Sequence, residues 1–271
     1  MKPDIHLYQI AYNPQTLAQV QSSGFLVLDN LENARPDWYE YWPVRNFLLS
    51  QVLDEDAFYG FFSPKFTAKT NMTLADVCAF IRVALAKGPL DVALFSPQPD
   101  MGASFLNVFE QAELFDAGCM QTAKDFLHLQ GLDLPLESMV MDSRQTVFSN
   151  YFVARPAFWR VWLALTEALF VLAEDATHPL HAALTFNTSY GTNAQRKVFI
   201  SERLASLLLC LHPEFRVASA NTFNFGWSTS RFRQQPEDVY INDALKMAFR
   251  ESGFPQYMDA FRKMREKFTL G

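Results

Sequence analysis

The sequence predicts an α/β protein whose mostly parallel sheet is covered by helices on both faces, and three observations predict it. Short apolar runs alternate with segments of helical periodicity through much of the chain. Those runs lack strict polar–apolar alternation, as strands buried on both faces do. With 49% of its 271 residues hydrophobic, 26 of them Phe, and 19% charged, the chain can fill a full core and does not have a disordered composition.

Ile5 to Tyr12 and Phe25 to Leu28 read as buried strands closed by the turn-forming pairs Asn13-Pro14 and Asp29-Asn30. Trp38 to Gln51 carries Tyr41, Trp42, Val44, Phe47 and Leu48 at helical spacing, and Pro43 fits only the first turn, so a helix begins near it. Phe58 to Ser63 is the next strand. Thr73 opens a helix that runs to Leu85 and stops at Gly88-Pro89, and Asp91 to Ser96 is again a strand. Ala103 to Gly131 reads as helix interrupted at Gly118, Val147 to Val153 as strand, and Arg155-Pro156 as the start of a long helix. After Asn187 a Gly-containing polar loop leads to a helix from Ser201 to Leu211, a short strand from Phe215 to Ala220, a polar aromatic loop and a helical tail. No repeat or linker divides the chain, which gives one domain over 1–235 and a helical C-terminal extension over 236–271 packed on it.

A formal charge of -6 argues against nucleic acid as a partner, because phosphate neutralisation needs a basic face. Cys78, Cys119 and Cys210 are too widely spaced for a zinc site and too few for a disulfide framework, which favours a reducing compartment. Met1 to His6 runs straight into a strand pattern without the features of a signal peptide, and Val161 to Ala173 is shorter than the roughly 20 residues a bilayer span requires. The expectation is a cytoplasmic protein with no transmembrane helix.

Several segments carry a resemblance: Asp29-Asn30, then Tyr41-Trp42-Pro43-Val44-Arg45-Asn46, then Tyr59-Gly60-Phe61. Phe148-Ser149-Asn150-Tyr151-Phe152 follows, with Phe158 and Trp159 after it, and Glu202-Arg203-Leu204 comes last. Collinear from about Ile5 to Leu211, they resemble the GT-A-type glycosyltransferases of bacterial capsule and O-antigen loci. The resemblance implies a GT-A-like α/β/α sandwich that transfers a sugar from a nucleotide-sugar donor to a saccharide or lipid-linked saccharide acceptor, at the inner face of the membrane. Two departures stand out. Phe62-Ser63-Pro64-Lys65-Phe66 replaces a His-Tyr-Arg-Arg-like run, and no Asp-x-Asp motif is present.

Sugar transfer needs a base for the acceptor hydroxyl and positive charge or a metal for the departing diphosphate. Glu202 is the candidate base, read as the opening of the Ser201 helix, where the positive end of the dipole holds a carboxylate; simple support of that helix is the plainer role. Arg196 and Lys197 just upstream, Lys65 after a strand and Arg45 on the aromatic helix are candidate phosphate partners, or solvated surface charges. Asp29 and Asn30 at a strand end suit a nucleotide base or ribose, and a turn equally well. Asn150, set among aromatic residues, suits a sugar hydroxyl, with backbone partners as the alternative. For Mn²⁺ or Mg²⁺ the candidate ligands are Asp100, after the Asp91 strand, and Asp142, which Arg144 equally neutralises.

Three further features have two readings each. Asn221 to Arg231 suits either an acceptor-side loop or a segment packed back on the core. His178-x-x-His181 lacks the further ligands of a zinc site. The last helix, Phe254 to Phe268, puts Met258, Phe261, Met264 and Phe268 on one side and Arg262, Lys263, Arg265 and Lys267 around the rest. It suits docking on the core or a second subunit better than peripheral contact with anionic lipid. The rival to an enzyme is a non-catalytic saccharide-binding or scaffolding module. A sugar-nucleotide-modifying enzyme is disfavoured by the absence of a Gly-x-Gly-x-x-Gly fingerprint.

Overall fold

The structure, a computed structural model, describes residues 3–190 and 194–269, the side chains of the last three of these excepted. In chain order β1 (Ile5–Ala11) is followed by α1 (Pro14–Ser23), β2 (Leu26–Asp29), α2 (Tyr41–Ser50), β3 (Phe58–Phe62), α3 (Phe66–Thr70), α4 (Leu74–Lys87) and β4 (Val92–Leu94). Then come α5 (Pro99–Ser104), α6 (Val108–Phe115), α7 (Cys119–Leu129), β5 (Phe152–Ala154), α8 (Pro156–Glu174), α9 (His181–Leu184), α10 (Arg196–Leu211), β6 (Val217–Ser219), α11 (Pro236–Ser252) and α12 (Pro255–Thr269).

The strands form one sheet in the order β2-β1-β3-β5-β4-β6. β1 is parallel to β2 and to β3, β4 is parallel to β6, and β5 runs antiparallel to both β3 and β4. Five strands therefore point one way, and the start of β5 lies at the edge where those five end. The mostly parallel sheet agrees with the sequence expectation.

Side chains alternate across the sheet and bury on both sides. Tyr59 and Phe61 of β3 join Ile10, Leu94 and Phe152 against Trp159 and Trp162 of α8 and Leu204 of α10. Phe58 and Phe62 face the other way, with Leu7, Ala93 and Val153, against Val20 of α1, Phe66 of α3 and Val77 and Ile81 of α4. Gly60 sits where β3 meets β5: a Cβ there would come 2.8 Å from Val153 Cγ2 and 3.1 Å from Leu7 Cδ2.

Several elements differ from the sequence expectation for local reasons. Asn13-Pro14 does more than turn the chain: Asn13 Oδ1 accepts from Thr16 N–H at 2.9 Å and Thr16 Oγ1 from Asn13 N–H at 3.0 Å, a reciprocal cap that starts α1. The 103–131 stretch breaks a second time because Asn107 caps α6 through the N–H groups of Phe109 and Glu110. The Val147 strand shrinks to Phe152–Ala154 because Ser149 and Asn150 both have positive φ, 60° and 50°. α8 is 19 residues long and by length and composition, with mean hydropathy 1.4, could cross a membrane. Its inner face is nonetheless core: Phe158, Trp159, Trp162, Thr166 and Leu169 are buried, and Trp159 Nε1 donates to the Tyr59 carbonyl at 3.0 Å.

α11 and α12 close the molecule. Lys246 Nζ donates to the carbonyls of Gly102 (2.6 Å) and Phe105 (2.8 Å), Asp243 accepts from Ser143, and Met258 and Phe261 pack with Val140. Arg265 pairs with Glu110 at 2.9 Å. The last helix thus docks on the core. Lys267 and Phe268 of that reading, like Gly191 of the loop after Asn187, lie outside the residues whose side chains are described.

Candidate functional site

Loops following the parallel strands, together with the turn that precedes β5, gather at one edge of the sheet, where open α/β sheets bind ligands. β1 is followed by Tyr12, β3 leads through Ser63 and Lys65 into α3, and the Ser149–Asn150 turn enters β5. Ser149 is the junction of this edge. Its backbone N–H donates to the Glu202 carboxylate, arriving from α10, and its hydroxyl accepts from Lys69 Nζ of α3 at 2.8 Å. Lys69 also sits 5.6 Å from the Tyr151 ring centroid, and the Tyr151 hydroxyl shares a 2.6 Å hydrogen bond with Ser63 Oγ. Two successive non-glycine residues in the left-handed region are costly, and here Ser149, the first of them, bonds both Glu202 and Lys69.

Glu40, at the start of α2, completes the cluster. With Ser149, Asn150, Tyr41, Val44, Phe61, Trp159 and Trp162 it lines a pocket beneath the edge. Burial pushes the Glu40 carboxyl up and the neighbouring Glu202 charge pushes it further, while Lys69 and Lys65 act in the opposite sense. Burial raises the Tyr12 phenol, and Glu40 and Tyr151 add to it. Burial also raises Tyr151, with Ser63 opposing and Glu40 and Glu202 reinforcing. Glu40, Glu202, Tyr12, Tyr151, Lys65 and Lys69 therefore act on one another electrostatically.

Of the residues singled out in the sequence, Glu202, Lys65 and Asn150 belong to this cluster. Glu202 stands in the second turn of α10, because the helix begins at Arg196 and not at Ser201. The helix-opening argument for it fails, and a backbone N–H from Ser149 holds the carboxylate instead. Arg196 and Lys197 are turned elsewhere. Arg196 is buried against Asp116 (2.7 and 2.8 Å) and the Ala117 carbonyl. Lys197 pairs with Asp37 at 2.6 Å and lies 4.4 Å from the Trp38 ring centroid. Arg45 is committed to Glu167 and stacks on Phe170. Asp29 accepts from Leu31 N–H at 2.9 Å, and Asn30 donates its amide to Asn33, so the pair forms a turn at the end of β2.

The residues proposed for a metal do not fit one. Asp100 is buried and accepts from the Ser228 backbone and hydroxyl and from Ser230 Oγ. Asp142 is buried between Arg144 (2.8 Å) and Arg250 (3.4 Å). Among the described residues no three of His, Cys, Asp and Glu gather as a ligand set. His178 and His181 are held by local bonds, to Leu180 N–H and the Ala173 carbonyl.

The Asn221 to Arg231 segment packs back on the core. Thr222 donates to the Ser96 carbonyl, Phe225 is buried, and Gly226 N–H donates to the Lys69 carbonyl at 2.7 Å. That last contact braces the end of α3 that carries Lys69.

Sequence reading missed Glu40, Lys69 and Ser149. Glu40 directly precedes the Tyr41-Trp42 motif, and Lys69 lies four residues after Lys65, one helical turn away; those were the available signals.

No family model matches the chain, and no curated protein matches it. Among solved structures it is similar to the bifunctional glycosyltransferase WbbM in its apo form, at 13% identity and a TM-score of 0.46, over 80% of this chain and 44% of that one. The chain thus spans less than half the length of that protein, and a likeness at this level assigns neither activity nor family.

Proposed function

We propose that this protein is a glycosyltransferase that moves a sugar from a nucleotide donor to a saccharide acceptor at the edge formed by Tyr12, Glu40, Lys65, Lys69, Ser149, Asn150 and Glu202. One observation carries the reading: where the parallel strands end, the Ser149–Asn150 turn lines a pocket with Glu40 and is bonded through Ser149 to both the Glu202 carboxylate and Lys69 Nζ. The collinear motifs of the sequence, ending in Glu202-Arg203-Leu204, point the same way.

Burial of the kind that surrounds Glu40 prepares a carboxyl for proton transfer. Glu40, raised by burial and by Glu202, is the group that takes the acceptor hydroxyl proton as the new glycosidic bond forms. Glu202 accepts the Ser149 N–H and holds the turn in place. Lys65 and Lys69 pair with the oxygens of the departing nucleoside diphosphate as its bond to the anomeric carbon breaks. Direct attack by the acceptor inverts that carbon. The nucleotide donor puts the reaction in the cytoplasm, and a bacterial capsule or O-antigen saccharide is the acceptor the motifs suggest.

A second reading, a saccharide-binding module without turnover, draws on the internal commitment of Asp100 and Asp142. Thermal-shift screening against UDP, GDP, CMP and dTDP sugars, with and without manganese, followed by a transfer assay on the stabilising donor, separates the two. A nucleotide-sugar hit with turnover that Glu40→Gln abolishes supports the transferase. Stabilisation by an oligosaccharide alone, with no donor effect, sinks it.

A further inference from the structure

A buried carboxylate outside the rim cluster is tied to it by a strap of chain. Asp100, in the first turn of α5, is 0% exposed. Among the described residues its three hydrogen-bond donors all come from one short segment: the Ser228 N–H at 3.0 Å, the Ser228 hydroxyl, and the Ser230 hydroxyl at 2.5 Å. Taking a carboxyl wholly out of water is costly unless donors replace the water, and here the replacement fixes a stretch 128 to 130 positions away in sequence. Two positions before Ser228 the same stretch meets the rim. The Gly226 N–H donates to the Lys69 carbonyl at 2.7 Å, and the Gly226 carbonyl accepts from the Gln98 N–H at 2.8 Å. The Lys69 carbonyl lies in the last turn of α3, where the helix offers it no donor of its own. From Gly226 to Ser230 no side chain is buried, so hydrogen bonds and not core packing hold the strap where it is. α5 is itself fixed at its far end, where Lys246 Nζ donates to the Gly102 and Phe105 carbonyls. The strap thus runs from an anchored helix to the lysine that bonds Ser149.

We propose that Asp100 is a positioning residue: by holding Ser228 and Ser230 it keeps Gly226 against Lys69, and so sets the Lys69 ammonium beside the Ser149–Asn150 turn. The inference rests on the transferase reading above for what Lys69 then does, which is to pair with the departing diphosphate. Asp100 acts through Lys69 and touches no substrate.

Hydrogen exchange and donor titration on the full chain test it together. Asp100→Ala removes the acceptor of all three bonds and should raise amide exchange by roughly tenfold or more over 66–71 and 226–230, while α1 and α8 keep their protection. Asp100→Asn, which still offers an oxygen to the Ser228 N–H, should restore most of that protection. For whichever donor binds among UDP, GDP, CMP and dTDP sugars, Asp100→Ala should raise the dissociation constant by about fivefold or more. In a Lys69→Met background the same substitution should add almost nothing, because the group it positions is gone. A carboxylate that only stabilised the fold would weaken binding equally in both backgrounds. If Asp100→Ala fails to fold, Ser228→Ala removes one of the three bonds at a partly exposed position and should give the same pattern in smaller measure. Unchanged exchange over 66–71, or an equal loss of affinity with and without Lys69, overturns the proposal. Loosening of 66–71 in a protein that binds no nucleotide sugar would leave the hold of Asp100 on Lys69 standing and remove the transferase. Donor binding and turnover with 66–71 undisturbed by Asp100→Ala would do the reverse.

Discussion

Burial and the adjacent Glu202 charge hold the Glu40 proton more tightly in the folded chain than in the unfolded one. The folded state therefore binds more protons. The stability Glu40 contributes is complete below the ordinary carboxyl range and lost as pH rises through its elevated folded value. Glu40→Gln should flatten that decline in a melting-temperature series against pH; an unchanged slope would show that Glu40 is not the source. Lys246 works in the opposite sense. Burial lowers it to about 8, so its contribution is present above the ordinary lysine range and lost as pH falls through about 8. Melting temperature should rise with pH between about 8 and 10.5, and Lys246→Met should remove that segment of the curve. The place of Glu202 beside the Ser149 turn was not legible: the helix opening read from the sequence gives way to a hydrogen bond from Ser149, 53 positions away in sequence. A bond of that span leaves no local periodic trace.

The longer helices were mostly legible because their apolar spacing repeats; α1, ten residues long but with Val20 its one buried position, and α3, five residues long and shorter than any window in which a period shows, were not. Lys69 was lost with α3. The same small helix is pinned from two sides, by Phe66 stacked on Phe62 at 4.0 Å and by the Gly226 N–H on the Lys69 carbonyl. A Cβ on Gly226 would meet that carbonyl oxygen at 2.9 Å. Gly226→Ala should therefore shift the end of α3 and weaken donor binding through Lys69 more than it lowers the melting temperature. Calorimetric titration of the donor beside a thermal melt checks this, and a melt that falls while affinity holds would refute it. In the sheet, Gly60→Ala drives a methyl into Val153 and Leu7, and overpacking of that kind costs about 1–3 kcal/mol; urea unfolding measures it.

For the molecule as a whole, the layered arrangement was readable from the alternation of strands and helices, while the antiparallel insertion of β5 was not, because strand direction leaves no mark in composition. The C-terminal helices were read as an extension and serve as a lid on α5 and α6, through Lys246, Phe261 and Arg265. Phe261 is fully buried, and Phe261→Ala should cost about 3–5 kcal/mol in denaturant unfolding. A loss below ~1 kcal/mol would mean that α12 is only loosely attached.

The reversed direction of β5 has one more outcome. Parallel strands deliver to their shared rim only what comes after them, the loops that lead on to the next helix. A strand entering from that rim delivers what comes before it, and Ser149 and Asn150 thereby occupy the rim with β-structure, not helix, at their backs. Their geometry is set by the stiffest layer of the protein. Sequence drift among the surrounding helices can reshape the walls of the cleft while this one turn keeps its aim.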